Sequence, residues 1–204
     1  MFINRPKVGD FDVKFETIFC GICHSDLHHT YNHFGTAKYP IVPGHEMVGR
    51  VVEVGSKVSK VKVGDHVGVG VISDSCLNCH SCDIGDEQYC EGGKHVATYN
   101  DMKRYSHIGG NPDSQTFGGY SASNVLNEHF TIKIPKGIPL ERASPLLCAG
   151  ITMYDPLKHW GATEGKKMRI GVAGIGGLGT MGIKLAKALG HEVFAISNEA
   201  SQEQ

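Results

Sequence analysis

Four cysteines, Cys76, Cys79, Cys82 and Cys90, lie within fifteen residues in the pattern C-x2-C-x2-C-x7-C. Zinc takes four soft ligands in a tetrahedron, and thiolates this close in sequence can wrap one ion. A closed four-thiolate site leaves no open position, so its role is structural. Such a site supplies folding energy of order ~10 kcal/mol, enough to order a segment with almost no core. A second concentration of chemistry is Cys20-Gly21-Ile22-Cys23-His24-Ser25-Asp26-Leu27-His28, with Gly44-His45-Glu46 downstream. Read alone, Cys20 and Cys23 fit a redox pair or half of a second zinc knuckle, and His45 fits an ordinary polar residue. The third group is Gly174-Ile175-Gly176-Gly177-Leu178-Gly179, which satisfies G-x-G-x-x-G.

The elements around these groups fall into two kinds. From Asp12 to about Pro135, short β-like runs are broken by Gly, Pro, Asn and Asp. Val13 and Phe15 begin one run, and Val48, Val51, Val52 and Val54 mark a less regular second. Val67, Val69 and Val71 form a third, and Phe130, Ile132 and Ile134 a fourth. Many short strands with turn signals between them predict a barrel or sandwich. The stretch from Ser73 to Gln115 has little periodicity and holds the four-cysteine cluster, so it needs something other than a core to order it. After Pro139 the pattern turns helical as far as Trp160, with Pro145 and Pro156 limiting any single long helix. An apolar strand from Met168 to Ala173 precedes the glycine motif. Met181, Leu185 and Leu189 then recur at helical spacing, with Gly190 as a C-terminal cap, and Glu192 to Ile196 reads as a second strand. Strand, glycine turn, helix, strand is the first half of a dinucleotide-binding fold. With 27 glycines in the chain, the motif alone is weak, but this context makes it strong. The glycines let the backbone approach a pyrophosphate, and the helix N-terminus offers unpaired N–H groups.

A hydride-transfer enzyme that uses zinc needs few protein ligands and one open position. In that setting the matching segments are GICHSDLH (21–28), PGHEMVG (43–49), the four-cysteine lobe, TYND (98–101), GGYS (118–121), PLLCAGIT (145–152) and GIGGLGTMG (174–182). Together they resemble the zinc-dependent medium-chain alcohol dehydrogenases, in their cinnamyl alcohol dehydrogenase-like, NADP-dependent aldehyde reductase branch. The resemblance implies a GroES-like β-barrel catalytic domain with a zinc lobe over 1–150, followed by the first half of an α/β Rossmann domain over 151–204. It implies two zinc ions per chain. Cys23, His45 and Cys148 would hold the catalytic ion, with Glu46 as an exchangeable fourth ligand, and Cys76, Cys79, Cys82 and Cys90 the structural one. Cys20 is no ligand in that pattern and is expected to pack in a strand. Asp26 is the natural partner to orient His45. Ser25 and His28 match the proton-relay positions; His29 and His33 match no role and are expected at the surface. His24, Thr152, Gly174, Gly176, Gly177, Leu178, Gly179 and Ser197 match cofactor positions. Where an NAD enzyme carries an acid at the end of the second strand, this chain has Ser197-Asn198, which implies NADP(H). Glu199 lies close by, and no Lys or Arg follows before Gln204. The implied substrate is a small alcohol or aldehyde, with broad-specificity aldehyde reduction favoured by Ala97-Thr98, where lignin-type plant enzymes carry an aromatic residue.

The balance of 20 Lys+Arg against 21 Asp+Glu, net charge -1, argues against nucleic-acid and anionic-membrane binding. No apolar run approaches the roughly 18 residues of a membrane helix, and Met1 to Asp10 lacks the apolar stretch of a signal peptide. The expected location is the cytoplasm, where seven cysteines point to metal rather than disulfides. Members of the resembled family are usually homodimers. A full dinucleotide fold has about six strands and this chain offers two of them, so the sequence reads as a truncated form or fragment. It would lack the dimer surface and leave the apolar face of the helix after Gly177 exposed. Two rival readings follow: a catalytically incompetent, zinc-stabilised binding or scaffold module, and a metal-free enone reductase. The set Cys23, His45 and Cys148 speaks against the second.

Overall fold

A computed structural model of the chain describes residues 2–92, 95–102 and 114–198. The chain divides into two compact units, Met1–Leu147 and Cys148–Gln204; the sequence alone suggests the change at residue 150. Among the described residues no helix is long and apolar enough to cross a membrane.

The first unit is built on an antiparallel five-stranded sheet in the order β6-β1-β2-β3-β7. Its strands are β1 (Asp12–Cys20), β2 (Met47–Val54), β3 (His66–Val69), β6 (Ser123–Asn127) and β7 (Ile132–Lys133). Alternation places Val13 and Phe15 of β1 on one face, where they meet Met47, Val51, Val61, Val67 and Val69 in the main core. The irregular apolar spacing in β2 has a physical cause. Val48 points to the opposite face and packs with Ala143 and Leu147 in a second cluster, so both faces of this strand are covered. Three expected strand positions fall outside the strands, Ile134 among them, directly after β7. Val71 lies beyond β3 and is exposed, and Phe130 sits in a short 3-10 helix, Glu128–Phe130, which shortens β7 to two residues.

Between β3 and β6 the chain makes an excursion. β4 (Ile72–Asp74) and β5 (Val96–Ala97) pair antiparallel and bracket a lobe with the four-residue helix α2 (His80–Asp83). Its apolar side chains Ile84 and Tyr89 are exposed, and within residues 76–92 only Ser81, Cys82 and Cys90 are buried. Hydrophobic burial therefore contributes almost nothing to the order of this lobe. The other helices of the unit are short: α1 (His24–Thr30) and α3 (Leu140–Ala143).

The second unit holds α4 (Ala149–His159), β8 (Arg169–Ala173), α5 (Gly177–Ala188) and β9 (Glu192–Ile196). β8 and β9 pair in parallel, from Arg169 opposite Glu192 to Ala173 opposite Ile196, which completes the expected βαβ unit. Buried His191 ties the strand starts together. Its Nδ1 accepts from Met168 N–H, which leaves Nε2–H to donate to Ala162 O at 2.7 Å. Pro156 does not end α4, which runs three residues past it. Gly190, at φ +88°, follows the cap of α5: Gly190 N–H donates to Lys187 O and His191 N–H to Ala186 O, the paired bonds of a Schellman end. The packed face of α5 lies off the Met181-Leu185-Leu189 stripe. Gly179, Gly182 and Ala186 are its buried residues, while Met181 and Leu185 are half-buried and Leu189 is exposed. Small residues are needed there, since a Cβ at Gly182 would come within 2.4 Å of Met153 Cε. Leu178, Phe194 and Ile196 are also exposed, in keeping with the expected apolar surface.

The segment before β1 is pinned by one side chain. Arg5 donates to Ser123 O at 2.9 Å, Phe117 O at 2.8 Å and Ser121 Oγ at 2.7 Å. Burial lowers its pKa to about 10, so the ion pays for its desolvation with these bonds. Arg5→Met is expected to lose about 2 kcal/mol of stability, because it strands partly buried acceptors. A urea midpoint unchanged from wild type would contradict this.

Candidate functional site

Asp26 is the hub of the first unit's polar site. It sits one turn into α1, buried, and accepts four bonds on its two oxygens. Cys23 N–H reaches Oδ2 at 3.0 Å and Tyr120 Oη–H at 2.9 Å; Gly44 N–H reaches Oδ1 at 3.0 Å, and His45 Nδ1 lies 3.1 Å from the same oxygen. The bond from Cys23 caps α1, so helix start and site are one construction. Burial works against this charge, but His45 and the backbone donors of Cys23 and Gly44 outweigh it and hold the carboxyl at about 2. With Nδ1 committed to Asp26, the chemistry of His45 is left to Nε2.

Gly44 makes the turn that delivers His45. Its φ is +102°, and a Cβ there would lie 2.8 Å from both Cys20 Sγ and Tyr120 N. Ser144 Oγ joins the two loops, accepting from Gly21 N–H at 2.8 Å and donating to Glu46 O. Buried Tyr99 stacks on His45 with ring centroids 5.8 Å apart. As a result, ligand atoms of Cys23, His45 and Glu46 lie within 4.8 Å of one another. Burial opposes ionisation of Cys23, but the backbone and hydroxyl of Ser25 and the ring of His45 bring its pKa below the ordinary thiol value. Burial also raises Glu46. Cys20, the last residue of β1, is pushed up to about 11 mainly by burial, as suits a packed thiol rather than a ligand.

The remaining first-unit residues lie on or near α1. Ser25 Oγ is 3.6 Å from Cys23 Sγ. Ser25 and His28 are one turn apart on the helix, and His24 is exposed with its ring 6.1 Å from that of His28. His29 is half-buried, not a surface residue: it meets Tyr99 and Phe34 edge-on and its Nδ1 takes a bond from Asn100 Nδ2 at 3.1 Å. His33 is exposed, and its Nδ1 is 2.9 Å from His28 Nδ1.

In the lobe, the sulfurs of Cys76, Cys79, Cys82 and Cys90 lie within 4.8 Å of one another, and none of the seven cysteines forms a disulfide. Tetrahedral zinc with bonds of about 2.3 Å sets sulfurs about 3.8 Å apart; Cys76 and Cys82 are at 3.9 Å. Backbone N–H groups of Cys76, Asn78 and Glu91 point at sulfurs of Cys90, Cys76 and Cys79, each at 3.4 Å, as suits thiolates. Both donor sets fit zinc, one by four sulfurs and the other by mixed sulfur, nitrogen and oxygen.

In the second unit, Cys148 precedes α4 and accepts from Thr152 N–H at 2.9 Å. Gly174 N–H donates to Ile196 O at 2.8 Å, so the glycine turn starts where the two strands end. A Cβ at Gly179 would sit 1.8 Å from Gly174 O, whereas Gly176 and Gly177 face open space. The third glycine thus lets the helix pack on the turn, and the middle pair leaves room over the helix N-terminus for a phosphate. Ser197 follows β9 directly; Glu199 lies outside the described residues. Sequence reasoning gave no role to Tyr120, Ser144 or Tyr99. The segments GGYS and TYND were the available signal for two of them.

The first unit is sheet-built with a four-cysteine lobe, and the second is a βαβ unit with a glycine turn between strand and helix. Residues 9–136 match the alcohol dehydrogenase GroES-like domain, and the chain belongs to that family. It is 51% identical over 195 residues to NADP-dependent alcohol dehydrogenase C 1 of Mycolicibacterium smegmatis, covering 96% of this chain and 53% of the relative. It is 49% identical over 194 residues to cinnamyl alcohol dehydrogenase 2 of Oryza sativa subsp. japonica, covering 95% and 51%. Among solved structures, a cinnamyl alcohol dehydrogenase from Sorghum bicolor aligns with TM-score 0.89 at 44% identity, covering 98% of this chain and 54% of that one. A Helicobacter pylori cinnamyl alcohol dehydrogenase complexed with NADP(H) aligns at 0.85 and 42%, covering 97% and 55%. The chain spans about half the length of the curated relatives it matches. The fold read from the motifs, a GroES-like domain followed by part of a dinucleotide-binding domain, is borne out.

Asp26→Asn keeps the shape but removes the charge that orients His45. It should weaken zinc binding roughly 10- to 100-fold, measured by chelator competition. The carboxyl is depressed in the fold, so its stabilising contribution is present above about pH 4 and lost as pH falls toward 2. The metal-free variant should therefore lack that part of the acid-unfolding curve. Equal zinc affinity in both proteins would contradict the assignment.

Proposed function

We propose that this chain carries the catalytic zinc site and the first part of the cofactor cradle of an NADP(H)-dependent alcohol dehydrogenase that favours aldehyde reduction. The observation that carries the reading is the cluster of Cys23, His45 and Glu46, with His45 fixed by Asp26. Cys23, His45 and Cys148 would hold one zinc ion, Glu46 would serve as an exchangeable ligand, and Cys76, Cys79, Cys82 and Cys90 would hold a second. Bound zinc supplies Lewis acidity to an alcohol or aldehyde oxygen, and bound nicotinamide supplies the hydride chemistry.

The chain's own residues do the rest. Ser25 holds or releases a proton at Oγ beside Cys23 Sγ, and His28, one turn along α1, links it toward water. His24 and Thr152 flank the cofactor, and Gly174, Gly176, Gly177, Leu178 and Gly179 receive the pyrophosphate. NADP(H) over NAD(H) is supported by Ser197 where a carboxylate would repel a 2′-phosphate, and by the NADP-dependent relatives. The substrate class is a small-molecule alcohol or aldehyde.

The zinc-loaded chain is expected to consume NADPH when given an aromatic aldehyde such as cinnamaldehyde. Cys23→Ser should abolish turnover, a loss of at least about 100-fold, while retaining the zinc of the four-cysteine lobe. Zinc-replete protein that neither binds NADPH nor turns over would contradict the enzyme reading for this chain and favour a zinc-stabilised binding module.

A further inference from the structure

His33 is an exposed histidine that the proposed chemistry leaves unused, and its contact is unusual. After α1 the chain reverses: Asn32 adopts φ +56° and donates N–H to His29 O, and His33 N–H returns to His28 O at 2.8 Å. Asn tolerates this left-handed turn better than most residues. The turn lays the ring of His33 beside that of His28, with centroids 5.2 Å apart and the two Nδ1 atoms at 2.9 Å. Phe34 packs against His28 at 5.3 Å and Tyr31 stacks on His33 at 5.7 Å, so both rings are held in place. The neighbouring histidines are engaged otherwise: His29 faces Asn100, Phe34 and Tyr99, and the ring of His24 stands 6.1 Å from that of His28.

Two neutral imidazoles can approach through their Nδ1 atoms only if one carries the hydrogen and the other a lone pair. The pair therefore shares one Nδ1 proton, and its rings are in opposite tautomers. We propose that His33 is the outer station of the proton path, passing protons between water and His28 through this Nδ1–Nδ1 bond. The inference rests on the reading of His28 as the relay residue.

The hand-off balances. For a proton delivered inward, His28 gives up its Nε2 hydrogen and takes one at Nδ1 from His33 Nδ1–H. His33 in turn takes a proton from water at Nε2. Each ring ends neutral with its tautomer exchanged, one proton has entered and one has left, and no electrons move. The gradient of exposure fits the direction, since His28 is half-buried and His33 is exposed. His33 acts through His28 and is a positioning and relay residue, distinct from groups at the reacting atoms.

Two measurements test this. Long-range 1H–15N NMR of the imidazoles in the 204-residue chain, assigned with His28→Gln and His33→Gln, reads the tautomers directly. The expected result is one Nδ1–H for the pair, resolved on one ring or averaged over both, with His28 shifting to a different tautomer balance in His33→Gln. If both rings are Nε2–H, and neither responds to loss of the other, the proposal is overturned whether or not the chain turns over. In aldehyde reduction at low buffer concentration, His33→Gln should lower kcat roughly three- to tenfold with KM unchanged, less than the loss expected for a group at the reacting atoms. Added imidazole should restore the rate. A lowered kcat in His28→Gln alone, with His33→Gln unaffected, overturns the role of His33 and leaves the relay reading of His28 standing. An unchanged kcat in His28→Gln overturns both.

Discussion

Everything at the candidate zinc site depends on one buried carboxylate. Asp26 accepts from Cys23 N–H, Gly44 N–H and Tyr120 Oη–H, and bonds the ring of His45. Those donors come from three separated parts of the chain, so one ionised group sets the start of α1, the turn at Gly44 and the orientation of His45. A buried charge is costly unless it is fully hydrogen-bonded, and here its two oxygens have four partners. The constraint also runs outward. Asp26 caps the helix on which Ser25 and His28 stand one turn apart, so a disturbance at His45 would reach the proposed proton path through the same carboxylate.

The four-cysteine lobe solves a different problem. The sheet is held by side chains such as Val13, Phe15, Met47 and Val67, each contributing about 1.5–3 kcal/mol by burial. Residues 76–92 have no such supply, since Ile84 and Tyr89 face outward. Leu77 even adopts φ +51°, a conformation unfavourable for a bulky residue. A structural zinc, at ~10 kcal/mol, would match what roughly four such buried side chains give. Four sulfurs within 4.8 Å of one another, three of them aimed at by backbone N–H groups, are the form such an arrangement takes.

The sequence was most legible where chemistry is encoded by spacing. The cysteine knuckle and the glycine turn between two strands appear in the structure as the residues suggest. His45 and Asp26, nineteen residues apart in the chain, were joined only through the family resemblance, and the structure brings them to 3.1 Å. Periodicity identified the helix of the second unit without indicating which residues it buries. The stripe Met181-Leu185-Leu189 marks α5 as a helix, but its buried residues, Gly179, Gly182 and Ala186, are set by close approach to the glycine turn and to Met153. The contacts of Tyr120 and Ser144 are long-range hydrogen bonds with no local signature, and the return of His33 onto His28 depends on a turn conformation at Asn32 that residue type permits without dictating.

The most direct test of the central claim is zinc X-ray absorption on the metal-loaded chain, with the metal content measured on the same sample. Two ions are expected, one bound by four sulfurs and one by two sulfurs plus nitrogen and oxygen. The averaged environment should then be about three sulfurs near 2.3 Å and about one lighter neighbour near 2.0 Å per zinc. One zinc per chain with four sulfur neighbours would mean that the Asp26-centred cluster does not hold metal in this chain, and would contradict the account.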